Sequence, residues 1–162
     1  MTNINEMVSD MVFDVIDTNI DQQCLSIHSS DKKMNEIYKS AYDAIRDKNY
    51  ELAFTIASNG HEKGVESMTY MLGFLYFFGY GVDKNINKAF NYFLINADVN
   101  VHSAYMCTIM CIVNYEGVEQ NLELAKQLIR EPLRLNYLDV INVNSLLNDL
   151  IDQKRKPDSE NY

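Results

Sequence analysis

The sequence predicts an all-α solenoid of about three helical hairpins in a row, with an extra helix at each end. Three observations predict it. Apolar residues recur at spacings of three and four along most of the chain. A set of glycine, alanine, asparagine and aromatic positions returns after 36 residues. Only 6 Gly and 2 Pro occur in 162 residues, too little turn chemistry for an all-β fold.

The first element is an amphipathic helix. Ile4, Met7, Val8, Met11, Val12, Val15 and Ile16 form one stripe, with Glu6, Asp10, Asp14 and Asp17 on the other side. Periodicity weakens from Asp17 to Ser30, so residues 1–30 read as an acidic helix and a linker. Asp31 is placed to cap a second helix running to about Arg46, with Ile37, Ala41, Ala44 and Ile45 inward. Asp47-Lys48-Asn49 is a polar turn. Tyr50 to Ser58 is the partner helix, with Leu52, Ala53, Ile56 and Ala57 inward, and Asn59-Gly60 is expected to stop it.

From Glu66 the pattern sharpens. Met68, Leu72, Leu75 and Tyr76 precede Gly79-Tyr80-Gly81-Val82, and Asn85, Lys88, Ala89, Phe90, Phe93 and Ala97 follow. At a step of 36 residues, Gly81-Val82 returns as Gly117-Val118, Asn85 as Asn121, Ala89 as Ala125 and Phe93 as Ile129. Backwards, Ala89 and Phe90 answer to Ala53 and Phe54. Gly73 lies inside the first helix, where glycine costs ~1 kcal/mol relative to alanine, so a close helix crossing is expected there. Gly79 and Gly81 let the chain leave the helix through left-handed conformations, Val82 is expected to plug the loop into the core, and Asn85 to cap the next helix. A short helix runs from Gln120 to about Arg130, and Glu131-Pro132 is expected to break it. Leu138, Ile141, Val143, Leu146, Leu147, Leu150 and Ile151 mark a capping helix over 137–153, and 154–162 reads as a solvated tail.

Residues 64–100 resemble a Sel1-like repeat, a relative of the tetratricopeptide repeat. The resemblance rests on Gly64, Leu72-Gly73, Tyr76, Gly79-Tyr80-Gly81-Val82, Lys88-Ala89-Phe90, Tyr92 and Ala97. Residues 101–136 are a degenerate copy, with Ile109 in place of Gly73 and Tyr115 in place of the first loop glycine. Residues 31–63 are more like a plain tetratricopeptide hairpin. The resemblance implies a short right-handed α-α superhelix and a non-enzymatic scaffold that holds a protein segment in its concave face. Carried over by register, that face comprises Tyr70, Phe74 and Phe77, then Met106, Met110 and Val113 one repeat on, and Tyr38 and Tyr42 one repeat back. The competing use of this strip is internal packing, against the N-terminal helix or a second copy of the chain.

No catalytic centre, metal site or cofactor is expected. Cys107 and Cys111 share a helix face, but with His102 one helix presents only two such ligands at once, so buried packing is the expectation. With Cys24 they are too few and too odd for a disulfide framework. His28, His61 and His102 have no nucleophile or acid at a triad-like spacing. The net charge of −9 disfavours nucleic acid and anionic membrane. It leaves a second functional reading: an acidic inhibitor or immunity protein that uses Glu6, Asp10, Asp14 and Asp17 to block a basic toxin or a nucleic-acid enzyme. Residues 1–30 hold no Lys or Arg, unlike an export signal, so a cytoplasmic location is expected. The most apolar run, Met68 to Phe78, spans ~16 Å as a helix, short of a bilayer.

Overall fold

The computed structural model describes residues 32–137 and 140–156, and every regular element among them is a helix. The first hairpin is α1 (Lys32–Arg46) and α2 (Tyr50–Glu62), and the second is α3 (Glu66–Phe78) and α4 (Ile86–Asn96). The third pairs α5 (Val101–Val113) with α6 (Leu122–Leu128). The short α7 (Arg130–Arg134) and α8 (Val140–Arg155) follow. From α1 to α6 each helix packs chiefly on the next in sequence, and α7 and α8 close against α5 and α6. The expected N-terminal helix, the Asp31 cap, Cys24, His28, Leu138 and the tail from 157 lie outside the described residues.

One capping device starts the second helix of every hairpin. The side chains of Asn49, Asn85 and Asn121 accept the backbone N–H of Leu52, Lys88 and Leu124. The three are 36 residues apart, and each satisfies an orphan donor of the first turn. One turn into each of these helices, Ala53, Ala89 and Ala125 are fully enclosed, so the paired helices cross closely.

The first helices keep a different step. α3 and α5 are each 13 residues long and start at 66 and 101, which is 35 residues and not 36. The loop 114–121 is one residue longer than the loop 79–85 and absorbs the difference. Gly79 ends α3 in the left-handed region at φ 69, and Asn114 does the same for α5 at φ 52. The counterpart of Gly79 is therefore Asn114 and not Tyr115, and that of Gly73 is Thr108 and not Ile109. Asparagine takes this conformation at small cost, so the turn survives without glycine.

Two apolar clusters meet at α3. Phe74, Leu72 and Leu75 join Tyr38, Ala41, Ala44, Ala53 and Ala57, while Tyr70 and Phe77 join Phe93, Tyr105, Ile109 and Leu147. At Gly73 a Cβ would stand 2.5 Å from the Phe93 ring, which is the close crossing expected of a glycine inside a helix.

Several local expectations are corrected. Gly60 does not stop α2; it is buried within it, and a Cβ there would overlap Met68. The chain turns at Gly64, where φ is 78. Leu52 is 47% exposed, because Ala53, Ala57 and Gly60 hold the crossing face. Val82 is only half-buried, and Ile86, the first residue of α4, fills the core in its place; Val118 is buried as expected. Pro132 sits buried in the first turn of α7, where a missing N–H leaves no bond unmade, and the break comes earlier, at Ile129. Ile141 points to solvent, with Val140, Val143 and Leu147 inward, and α8 runs two residues past Gln153.

Candidate interaction surface

The strip assigned to the concave face is enclosed. Tyr70, Phe74 and Phe77 are 7%, 5% and 5% exposed, and Tyr38, Met106 and Met110 are buried as well. Tyr42 and Val113 are half-buried. The rings are engaged: Tyr70 lies 5.7 Å from Phe93 and 5.8 Å from His102, Phe74 lies 5.0 Å from Phe78, and Phe77 stacks on Tyr115 at 5.3 Å. Because the first helices step by 35, the counterparts of Tyr70, Phe74 and Phe77 in α5 are Tyr105, Ile109 and Ile112, each one residue before the positions carried over at 36. All three are buried. Repeat arithmetic on α5 alone would have found them, had the helix been aligned by its ends and not by its loop glycine.

The loop Gly79-Tyr80-Gly81 binds the second hairpin to the first. Tyr80 stacks on Tyr50 with centroids 4.2 Å apart and planes 9° off parallel. Gly81, at φ 70, lies so close to the start of α2 that a Cβ would overlap the Tyr50 carbonyl and stand 2.9 Å from the Glu51 nitrogen. Gly117, at φ 98, meets only the Asn87 amide, 3.8 Å away. Between the second and third hairpins the Lys84 ammonium donates to Glu116 at 2.9 Å, and that bond raises the Lys84 pKa. A second aromatic run, missed in the sequence, links Phe54, Tyr76, Tyr92 and His61, with the Lys88 ammonium 5.1 Å over Tyr76. Tyr76, Lys88 and Tyr92 belong to the repeat motif, and with Phe54 and His61 from α2 they serve packing between helices.

The groups with chemical potential are held in structural roles. His102 is buried at the start of α5, its Nδ1 hydrogen-bonded to the Tyr137 hydroxyl at 2.5 Å, with the rings of Tyr70 and Tyr137 against it. Burial pushes its pKa down from 6.5 to about 4, so the imidazole is neutral at pH 7. Cys107 and Cys111 are buried; the Cys107 Sγ reaches the Phe90 carbonyl at 3.8 Å. Desolvation pushes Cys111 up to about 11 and Cys107 higher still, so both are thiols and poor nucleophiles. Among the described residues no three His, Cys, Asp or Glu side chains cluster as a metal site. Among the same residues no helix is long and apolar enough to cross a membrane.

The exposed apolar surface lies elsewhere. Ile95 and Val99 are 71% and 63% exposed near the α4–α5 turn, and Val99 joins Met34, Val65 and Glu66 around a cleft of ≈ 410 Å³. The acidic candidates Glu6, Asp10, Asp14 and Asp17 lie outside the described residues. Comparison with family models, curated proteins and solved structures gives no match.

Proposed function

We propose that this protein is a non-enzymatic interaction module, a short right-handed array of Sel1-like hairpins that holds a protein partner along the face of α1, α3 and α5. The observation that carries the reading is the repetition of one hairpin design. Asn49, Asn85 and Asn121 cap the second helices at equal steps, Ala53, Ala89 and Ala125 are enclosed behind them, and the helices pack chiefly on their neighbours in sequence. Arrays of this kind gain stability unit by unit and offer a lengthwise binding surface. The motif residues support the same reading, since Gly73, Gly79, Gly81 and Ala89 each take a place that a larger residue would disturb. Tyr42 and Val113 are the half-buried members of the proposed face. A second reading keeps the fold and makes the partner basic; the net charge of −9 favours it.

The test is a binding comparison on the full chain. Proteins retained by the wild type are purified and titrated by calorimetry against wild type, Tyr42→Ala and Ile95→Ser. The module reading expects saturable binding, weakened at least about tenfold by Tyr42→Ala with an unchanged melting temperature, and unaffected by Ile95→Ser. Equal binding by wild type and Tyr42→Ala would move the interface off this face. Association that slows several-fold between ~50 and ~300 mM salt selects the acidic inhibitor; a salt-insensitive rate selects the apolar scaffold.

A further inference from the structure

The last helix is held differently from those before it. Eleven of the 13 residues of α5 are buried, but three of the 16 in α8: Val140, Val143 and Leu147. These three form one narrow stripe that joins the apolar cluster of α5. α8 packs on α5, α6 and α7, and its Arg155–Asp152 ion pair lies within the helix itself. An end unit of a row has a neighbour on one side, so it has the least to lose on opening.

Tyr137 stands where α7 gives way to α8. Its N–H donates to the Pro132 carbonyl at 2.9 Å, and its carbonyl accepts the Val140 N–H at 3.0 Å, so it is tied to both helices. Asn136 beside it takes the left-handed angle of φ 48. The Tyr137 ring lies 5.0 Å from the rings of His102 and Tyr105 on α5, and its hydroxyl is hydrogen-bonded to the His102 Nδ1 at 2.5 Å. His102 is thereby shut between Tyr137 and Tyr70 of α3 and is 8% exposed.

We infer that α8 is a detachable end cap, latched by the Tyr137 hydroxyl on His102, which opens as one unit while α1 to α6 stay folded and opens more readily in acid. The device goes beyond the module reading and is independent of what the array binds. Opening after Asn136 touches none of the Asn49, Asn85 and Asn121 caps, so the three hairpins keep theirs. The titratable groups packed on His102 are the phenols of Tyr70 and Tyr137. Burial lowers its pKa to about 4, with no charged group among the described residues contributing. Releasing Tyr137 returns the imidazole to water, where it protonates near 6.5. Between those values the open form binds a proton that the closed form does not, so falling pH favours opening. Full hydration of the ring would raise the opening equilibrium about twentyfold from pH ~7 to pH ~5.

Amide hydrogen exchange on the full chain tests this, read by mass spectrometry at pH ~7 and ~5 with each rate divided by its intrinsic rate. The amides of α8 should exchange as a group, at least about tenfold faster than those of α3, and their opening should rise by about tenfold or more at the lower pH. His102→Phe should abolish that rise. Tyr137→Phe keeps the ring and removes the hydroxyl alone, so it reads the latch even where His102→Phe disturbs packing. It should speed exchange in α8 at least about threefold and leave α1 to α4 unchanged. Protection of α8 equal to that of α3 would overturn the inference. So would a pH-dependent rise that survives His102→Phe, or a Tyr137→Phe variant in which all helices speed up alike or α8 does not.

Discussion

The second and third hairpins do the same job with different residues. In α3 the crossing position is Gly73, set against the Phe93 ring of α4. In α5 the register places Thr108 there, fully enclosed, with its hydroxyl donating to the Ala104 carbonyl at 2.8 Å, and Ile129 stands where Phe93 stood. The Phe93 ring leaves no room for a Cβ at the α3 position, whereas the α5 position holds a whole threonine side chain. The loops differ in the same way. Gly81 is pressed on the first hairpin at Tyr50, whereas Gly117 has open space beyond Asn87. A degenerate repeat is thus a repeat whose volume has been redistributed, and a weak motif does not imply a weak hairpin.

The largest test of that contrast is at the loops. Gly81→Ala should destabilise by about 3 kcal/mol or more, since it adds a backbone overlap to a left-handed angle. Gly117→Ala, strained by its angle alone, should cost about 1 kcal/mol. Urea denaturation of both variants measures the gap, and equal losses would end the distinction. The third hairpin also carries a pH dependence for which the second shows no counterpart among its buried groups. His102 stays neutral in the folded state down to about pH 4, while the unfolded chain takes up a proton near 6.5. Between those values the unfolded state binds more protons, so stability falls as pH drops from ~6.5 toward ~4, by up to about 3 kcal/mol. Denaturation at stepped pH should show this slope, and His102→Phe should flatten it over that window. A further double-variant cycle sharpens the crossing itself. Gly73→Ala should cost about 2 kcal/mol, and Phe93→Ile in the same chain should recover about half of it, because the ring is what the new methyl meets. Additive losses in that cycle would show that the clash is not with Phe93.

Much of the fold was legible because its signals are local. Helix periodicity over 32–46 and 66–78, the Asn85 and Asn121 caps and the left-handed Gly79 each depend on a few neighbouring residues. The enclosure of the proposed face was not legible. Tyr70, Phe74 and Phe77 read as an all-round apolar helix, and such a pattern states that a helix must be covered without stating by what. The α5 site slipped by one position because an inserted loop residue is invisible to an alignment anchored beyond the loop.

The sequence by itself determined the helices of the described residues, their pairing into hairpins and the small residues at their crossings, since spacing and capping act within a turn or two. Only the tertiary structure decided that Gly60 carries a crossing and does not end α2, that Ile86 and not Val82 fills the core, and that α5 steps by 35. A glycine is permitted at a helix end and at a close contact alike, and a valine at a surface or a core. Which of these it serves depends on a partner such as Met68, brought alongside from another helix.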